Sequence, residues 1–231
     1  MARIGAVVGL PVERLILSWR CRQAFAGPLR SFIAVAAADA RRAEAMADVL
    51  VSRGAEALVS FGVAGGLDPA IPAGSLVLAN EVAMPDGSRI ATDAAWRRRL
   101  RASLGDARVV ERGIAGVDQP VATRAAKAAL AAVTGAVAVD MESHGIARAA
   151  FRHQVPLLVL RAVADPAGRA LPSSAAAGFG ADGKVHAGAT LAPLLTAPGE
   201  IPALLGLTLE LVRALITLWG AAGGLEAEVV R

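Results

Sequence analysis

The 231-residue sequence contains no tyrosine, and only 3% of its residues are aromatic. It therefore lacks the ring-stacking residues on which single-stranded nucleic acids are usually bound, and no nucleic-acid partner is expected. Its one cysteine, Cys21, cannot form an internal disulfide and suits a reducing, cytoplasmic compartment. Its three histidines do not have the spacing of a zinc motif, so no metal site is predicted. The apolar start at residues 4–9 is interrupted by Glu13 and Arg14, which argues against a signal peptide.

What the sequence does contain is small apolar residues and arginine. Hydrophobic residues make up 55% of it, enough for one sizeable core of alanine, valine and leucine, which excludes intrinsic disorder. The net charge of +4 comes from arginine, because Lys127 and Lys184 are the only lysines. The arginine run at residues 97–101 is either a solvated helix face or a contact for phosphates or anionic lipid headgroups.

Short apolar runs alternate with helical patterns up to residue 165. The predicted strands are residues 4–9, 31–36, 57–61, 75–82, 108–114, 137–139 and 157–163, and the predicted helices are residues 39–53, 93–104, 123–134 and 143–153. This alternation is typical of an α/β fold whose largely parallel sheet is covered on both faces. The glycine- and proline-rich residues 166–199 predict a loop or short helices, such as a lid over the site. We therefore assign residues 1–199 to one domain.

The C-terminal segment, residues 200–231, contains a helix predicted over 202–220 that is apolar around most of its circumference. Three interpretations remain open. The helix packs on the core or on a partner subunit, it contacts a membrane or a hydrophobic substrate, or it spans a bilayer. Spanning would place Glu210 and Arg213 inside the membrane, at roughly 2.5–3.5 kcal/mol for each charged group.

Polar residues follow several of the predicted strands, where ligands gather in parallel α/β sheets. Glu13 follows the first strand, Glu142 the strand at 137–139 and Asp165 the strand at 157–163. Glu142 and Asp165 are either a helix-start carboxylate and a turn residue, or a carboxyl pair for acid–base chemistry. The glycines at 62–66 match neither the dinucleotide nor the P-loop pattern, and form either a tight turn or a backbone that a ligand approaches closely.

Taken together, these motifs resemble the purine nucleoside phosphorylase and methylthioadenosine nucleosidase superfamily. The resemblance rests on residues 60–67 (SFGVAGGL), 73–82 (AGSLVLANEV), 139–147 (VDMESHGIA) and 155–165 (VPLLVLRAVAD). Residues 9–13 (GLPVE), 116–123 (GVDQPVAT) and 165–172 (DPAGRALP) are most similar to the hopanoid-associated phosphorylase subfamily, which is assigned the removal of adenine from adenosylhopane. The resemblance implies a three-layer phosphorylase/hydrolase-like α/β fold, with a mixed, largely parallel central sheet flanked by helices, and a homo-oligomer. It implies no cofactor, with phosphate as a co-substrate if the reaction is phosphorolysis.

The resemblance also implies roles for individual residues. Asp165 would protonate N7 of the leaving adenine, and Glu142 would accept hydrogen bonds from the ribose hydroxyls. Met141 would pack under the sugar, and Glu13 stands where the nucleosidases of the family activate water. The remaining substrate-binding positions that it implies are Gly62, Val63, Ala64, Gly65, Asp118 and Gln119.

The nucleophile stays open at this point. Ser60 and Val63 stand where phosphorylases of the superfamily hold phosphate with an arginine and a serine, which favours water, whereas the subfamily favours phosphate. The expected function is phosphorolysis of adenosylhopane in hopanoid biosynthesis, by a cytoplasmic enzyme with peripheral membrane contact. The alternatives are hydrolysis of a small soluble purine nucleoside, or a non-catalytic nucleoside- or lipid-binding protein.

Overall fold

The computed structural model describes residues 3–22, 32–105, 108–171 and 201–230. Its strands are β1 (Ile4–Val8), β2 (Ile33–Val35), β3 (Ala57–Gly66), β4 (Leu76–Leu78), β5 (Glu81–Ala83), β6 (Arg89–Ala91), β7 (Val109–Val110), β8 (Ile114–Gly116), β9 (Ala138–Asp140) and β10 (Leu157–Asp165). Its helices are α1 (Pro11–Arg20), α2 (Ala40–Ser52), α3 (Ala94–Ser103), α4 (Arg124–Thr134), α5 (Ser143–His153) and α6 (Ile201–Val230).

A single ten-stranded sheet forms the centre of the molecule, in the order β6-β5-β8-β9-β3-β10-β4-β7, with β1 and β2 branching from β3. The first half of β3 pairs in parallel with β1, and its glycine half pairs with the antiparallel β9. Along its other edge, β3 pairs in parallel with β10 over almost its full length. The sheet is therefore mixed and largely parallel, and β3 is the strand that connects every part of it.

The core consists of the apolar strands and the inner faces of the helices. Both β3 and β10 are buried over most of their length, as expected for strands covered on both faces. The helices flank the sheet in two groups: α2 packs on α5 and β1, while α6 packs on α1, α3 and β10. The predicted flanked α/β fold is confirmed.

Several predicted boundaries differ from the structure. The glycines at 62–66 form the second half of β3 and not a turn, because β9 and β10 supply hydrogen-bonding partners on both edges. The predicted strands 75–82 and 108–114 are each divided into two strands, and the short β6 was not predicted. Helix α1 was missed, although Pro11 in its first turn is a recognised start signal. Most of the predicted lid, residues 172–199, lies outside the described residues.

Helix α6 is longer than predicted. Its stretch from Leu204 to Glu228 is long and apolar enough to cross a membrane by length and composition. One face of it is nevertheless part of the core, since the side chains of Ala214, Leu218 and Ala222 are fully buried.

Candidate active site

A cavity of about 290 Å³ opens where β1, β9 and β10 end and where the glycine half of β3 begins. Its lining includes Gly9, Leu10, Glu13, Val63, Ala64, Gly65, Val139, Asp140, Met141, Glu142, Arg161, Ala164 and Asp165. The other lining residues are apolar and come from loops and from α6: Ala38, Val117, Pro120, Val121, Leu171, Leu207 and Leu211. The cavity thus has a polar side built on the sheet and an apolar side built outside it.

Glu13 is a buried carboxyl group at the base of α1. Its Oε2 accepts hydrogen bonds from the backbone N–H groups of Gly9 and Leu10, both at 2.8 Å. Its Oε1 accepts a third from Val63 N–H, also at 2.8 Å, which links α1 to β3. Burial raises the pKa of Glu13, while Arg161 and these backbone hydrogen bonds lower it by a smaller amount. Glu13 is therefore firmly positioned in the cavity wall with an increased proton affinity, as a base that activates water needs.

Two glycines make room for these carboxyl groups. A Cβ atom on Gly62 would lie 2.6 Å from Glu13 Oε1. A Cβ atom on Gly9 would lie 2.6 Å from Glu142 Oε1 and 3.6 Å from Glu13 Oε2. Both carboxyl groups therefore approach the same point of the backbone, and a Cβ atom at Gly9 would collide with Glu142.

Arg161 is the buried cation of the polar side. It lies in the middle of β10, and its Nε is 2.8 Å from Asp140 Oδ2. Its Nη1 donates to Glu142 Oε2 at 3.1 Å and to the Val63 carbonyl at 3.2 Å, and its Nη2 donates to Ser60 Oγ at 2.6 Å. Its pKa is raised because Asp140, Glu142 and Glu13 together outweigh the effect of burial. Arg161 is thus occupied by the protein's own groups.

Asp140 and Ser143 complete this network. The carboxylate of Asp140, two residues before the N-cap residue Glu142, accepts hydrogen bonds from the backbone N–H groups of Glu142 and Ser143 and from Ser143 Oγ at the start of α5. Ser143 Oγ also lies 2.8 Å from Ser60 Oγ. Because Asp140 serves the helix start, the side chain of Glu142 is free to point to Arg161 and the cavity.

Glu142 is buried and has a strongly shifted proton affinity. Burial raises its pKa to about 7, and the neighbouring carboxyl groups of Asp140 and Glu13 raise it as well, while Arg161 acts in the opposite direction. A carboxyl group with this pKa changes charge near neutral pH. Strong shifts of this kind are typical of functional sites.

Asp165 lies on the other side of the cavity, beside the glycine half of β3. The register of β10 against β3 shifts between Val163 and Asp165, and this irregularity places Asp165 opposite Gly65. A Cβ atom on Gly65 would lie 3.2 Å from Asp165 Oδ1, so the glycine keeps this approach open. The pKa of Asp165 is raised by burial and lowered to a smaller extent by Lys127.

Lys127 is the cation that holds Asp165. It is buried on α4, and its Nζ lies 2.5 Å from Asp165 Oδ2. The same ammonium group donates to the carbonyl groups of Asp165, Pro166 and Arg169, at 3.1–3.3 Å. Lys127 therefore fixes both the carboxyl group and the segment that follows β10.

Two of the predicted substrate-binding residues, Asp118 and Gln119, lie outside the cavity. Asp118 and Gln119 are exposed and do not line the cavity, and Asp118 instead contacts His144 Nε2 at 3.1 Å. Val117 and Pro120 line the cavity in their place, and Val117 N–H donates to the Asp140 carbonyl at the end of the β8–β9 pairing. Of the glycine segment, Val63, Ala64 and Gly65 line the cavity, whereas Gly62 lies behind Glu13.

Lys127, Asp140 and Arg161 were not placed in the site by sequence reasoning. A signal existed for two of them. Arg161 interrupts an otherwise apolar strand, and Lys127 interrupts an alanine-rich helix, and a buried charge must be paired. Within the described residues, no group of three or more His, Cys, Asp or Glu side chains could hold a metal ion.

Comparison with known proteins identifies the family. Residues 29–192 match the family model described as "Phosphorylase superfamily". The chain belongs to the phosphorylase superfamily. It is 32% identical over 176 residues to futalosine hydrolase of Streptomyces coelicolor, an alignment that covers 69% of this chain and 72% of the relative.

Solved structures show the same fold at low sequence identity. Methylthioadenosine/S-adenosylhomocysteine nucleosidase of Helicobacter pylori has a TM-score of 0.70 at 17% identity, covering 99% of this chain and 98% of that chain. Futalosine hydrolase of the same organism has a TM-score of 0.71 at 16% identity, covering 99% of this chain and 97% of that chain. With its family match and its nucleosidase relative, this member of the phosphorylase superfamily is an enzyme.

Proposed function

We propose that this enzyme cleaves the N-glycosidic bond of an adenine nucleoside with water as the nucleophile. The observation that carries the proposal is the placement of Glu13, Glu142 and Asp165 around one cavity, with Glu13 and Glu142 together and Asp165 across from them. When the glycosidic bond breaks, positive charge develops on the ribosyl group, and a carboxylate beside it stabilises this charge. The leaving adenine needs a proton donor beside the base. The nucleosidase relatives support this reaction class.

The proposed reaction uses one water molecule. As the bond between C1′ and N9 breaks, Asp165 gives its proton to N7 of the leaving adenine. Glu142 accepts hydrogen bonds from the ribose hydroxyls and stabilises the positive charge that develops on the sugar. Water attacks C1′ and gives its proton to Glu13, so the products are adenine and a free sugar. Solvent exchange then returns the proton from Glu13 to Asp165.

Phosphorolysis is the second candidate, because Arg161 lines the cavity and a phosphate needs a cation. Two observations favour water over it. The guanidinium of Arg161 already contacts Asp140, Glu142 and Ser60, and a phosphate dianion beside three carboxyl groups would be repelled. The amide groups of Gly9, Leu10 and Val63, which would suit an anion, are bound to Glu13.

We also propose an apolar substituent on the nucleoside, as in adenosylhopane. Leu171, Leu207 and Leu211 line the apolar side of the cavity, and the segment resemblance to hopanoid-associated phosphorylases supports the same substrate. A hopanoid nucleoside resides in a bilayer, so the proposal includes peripheral membrane contact by a cytoplasmic enzyme. A homo-oligomer stays a prediction.

The test is incubation of the purified full-length protein with adenosylhopane, adenosine and methylthioadenosine, each with and without phosphate. We expect adenine release without phosphate, a free reducing sugar by mass analysis, and the highest kcat/KM for adenosylhopane. Glu13→Gln should reduce this hydrolysis by about 10²–10⁴-fold, because it removes the base.

Three results would change the proposal. A sugar phosphate formed only when phosphate is present would establish phosphorolysis. Equal kcat/KM for adenosylhopane and adenosine would refute the proposal that the substrate has an apolar substituent. Binding of all three nucleosides without adenine release would show a binding protein.

A further inference from the structure

Helices α1 and α6 lie side by side on one face of the molecule. Arg20 Nε donates to the Trp219 carbonyl at 3.3 Å, and its guanidinium lies 5.5 Å from the Trp219 ring centroid. Cys21, directly after α1, contacts the Ala222 carbonyl through Sγ at 3.1 Å. The inner sides of both helices are buried, through residues such as Leu17 and Leu218. The two helices therefore form one fixed layer over the core.

The outer side of this layer is apolar as well. The exposed large hydrophobic residues are Val12, Leu15 and Trp19 on α1, and Leu205, Leu209, Val212, Ile216 and Trp219 on α6. They recur at steps of three and four residues, so each set forms one stripe along its helix. We call these eight residues the outer apolar face. Contiguous apolar surface on a soluble protein usually marks an interaction site.

The charges around the outer apolar face are positive. Arg14, Arg20 and Arg213 are exposed beside the stripes, and Arg22 follows α1. The acidic residues of the two helices are less exposed: Glu13 is in the cavity, Glu210 pairs with Arg169 and Glu228 with Arg99, both at 2.7 Å, and Glu226 is half-buried beside Cys21. An apolar surface rimmed by arginine matches the interface of an anionic bilayer.

We propose that the outer apolar face docks on the surface of an anionic lipid membrane, with α1 and α6 lying in the plane of the interface. Trp19 and Trp219 suit this position, because tryptophan prefers the boundary between apolar and aqueous phases. A second copy of the chain fits less well. A symmetric contact through this face would bring arginines together with no exposed carboxylate on the stripes to pair with them.

Docking in this orientation places two helices that contribute to the cavity wall between the cavity and the lipid. Helix α6 supplies Leu207 and Leu211 to the cavity wall, and α1 supplies Glu13. Insertion of α6 across the bilayer would instead remove both the wall and its buried inner side. The docking surface deepens the proposed function and rests on it for its purpose, because it would hold the enzyme at the bilayer in which a lipid-linked nucleoside resides.

The test measures binding of the full-length protein to vesicles without any nucleoside. We expect sedimentation with vesicles that contain phosphatidylglycerol, weaker binding to pure phosphatidylcholine, and release by high salt. The double variant Leu15→Gln/Ile216→Gln should bind these vesicles at least roughly tenfold more weakly than the unmodified protein, since burial of apolar side chains drives insertion. Arg14→Gln/Arg213→Gln should lose the preference for phosphatidylglycerol.

The matched control is Val133→Gln/Phe151→Gln. These residues are 83% and 74% exposed but lie on α4 and α5, outside the outer apolar face. This control should bind vesicles like the unmodified protein. The proposal is overturned if the protein binds no vesicles. It is also overturned if Leu15→Gln/Ile216→Gln binds vesicles as well as the control Val133→Gln/Phe151→Gln does. It is also overturned if Leu15→Gln/Ile216→Gln dissociates a dimer or lowers the thermal stability, because a second copy or the chain itself would then cover the face.

Cleavage of soluble adenosine by the same variants separates this proposal from the proposed function. Unchanged adenosine cleavage with lost vesicle binding supports the docking surface alone. Vesicle binding by a protein that releases no adenine would keep the surface and refute the nucleosidase.

Discussion

The two ends of the cavity each hold carboxyl groups against a buried cation, but in different proportions. At the end that the proposed function assigns to the ribose, which we call the sugar end, Glu13, Glu142 and Asp140 surround the guanidinium of Arg161. At the other end, which we call the base end, Asp165 is the one carboxyl group among the described residues that pairs with Lys127, at 2.5 Å. The sugar end can therefore carry an excess of negative charge, whereas the base end is a balanced pair.

This difference matches the two demands of glycosidic cleavage. An excess of negative charge stabilises a sugar that becomes positive and repels a phosphate. A balanced pair in which burial still raises the pKa of the acid can give a proton to the leaving base. Lys127 remains bound to three backbone carbonyls whether or not Asp165 carries its proton, so the acid can change its charge without losing its surroundings.

The largest expected effect is at the base end. Asp165→Asn should lower adenine release by about 10²–10⁴-fold and leave nucleoside affinity unchanged, because asparagine keeps the shape but cannot give a proton. The measurement is kcat for adenine release beside Kd for a non-cleavable nucleoside analogue.

A riboside with a p-nitrophenolate leaving group provides the control for Asp165→Asn. This leaving group departs without protonation, so the variant should cleave it at nearly the unmodified rate. An equal loss on both substrates would show that Asp165 has a structural role and would contradict acid catalysis.

The next effect is at the sugar end. Glu142→Gln should reduce kcat/KM by about 10²–10³-fold, because it removes a negative charge placed beside the reacting sugar. Since burial raises the pKa of Glu142 to about 7, activity of the unmodified enzyme should decrease below pH 7 as this group takes up a proton. The variant should lose this acid limb, and an acid limb that persists unchanged would assign it to another group.

The protonation of Glu142 should affect stability and activity in opposite directions: the protonated group stabilises the folded protein but lowers the activity. The folded protein keeps the Glu142 proton up to about pH 7, whereas the unfolded chain loses it near 4.5. Its contribution to the free energy of unfolding is therefore full below pH 4.5 and is lost as the pH rises to 7. Thermal unfolding of Glu142→Gln should depend less on pH in this window than unfolding of the unmodified protein.

The sequence allowed most of the strands and the strand-end positions of Glu13, Glu142 and Asp165 to be predicted, because each acid follows an apolar run. The alternation of strands and helices does not by itself explain why these acids converge. Val139, three residues before Glu142, pairs with Gly65 in antiparallel orientation, and Asp165 pairs with the same Gly65 in parallel orientation. The glycine half of β3 therefore brings the two acids together, and a turn at these glycines would have separated them.

The cationic partners could not be assigned from sequence, because their contacts span long separations along the chain. Arg161 meets Ser60 across β10 and β3, 101 residues apart, and Lys127 meets Asp165 at a separation of 38 residues. Such pairs depend on strand register and on how α4 packs. A charged residue in an apolar strand or helix shows only that a partner must exist.

The smallest expected effect on activity comes from Lys127, a positioning residue of the base end. Lys127→Met removes the charge that lowers the pKa of Asp165, so this pKa should rise further and the basic limb of the kcat/KM profile should move to higher pH. Loss of the buried partner should also lower the free energy of unfolding by about 3 kcal/mol. Lys127→Arg keeps the charge and should keep the basic limb near its original pH, even where stability decreases. If both variants shift the limb equally, geometry and not charge is what Lys127 contributes, and the two ends of the cavity differ less than their electrostatics suggest.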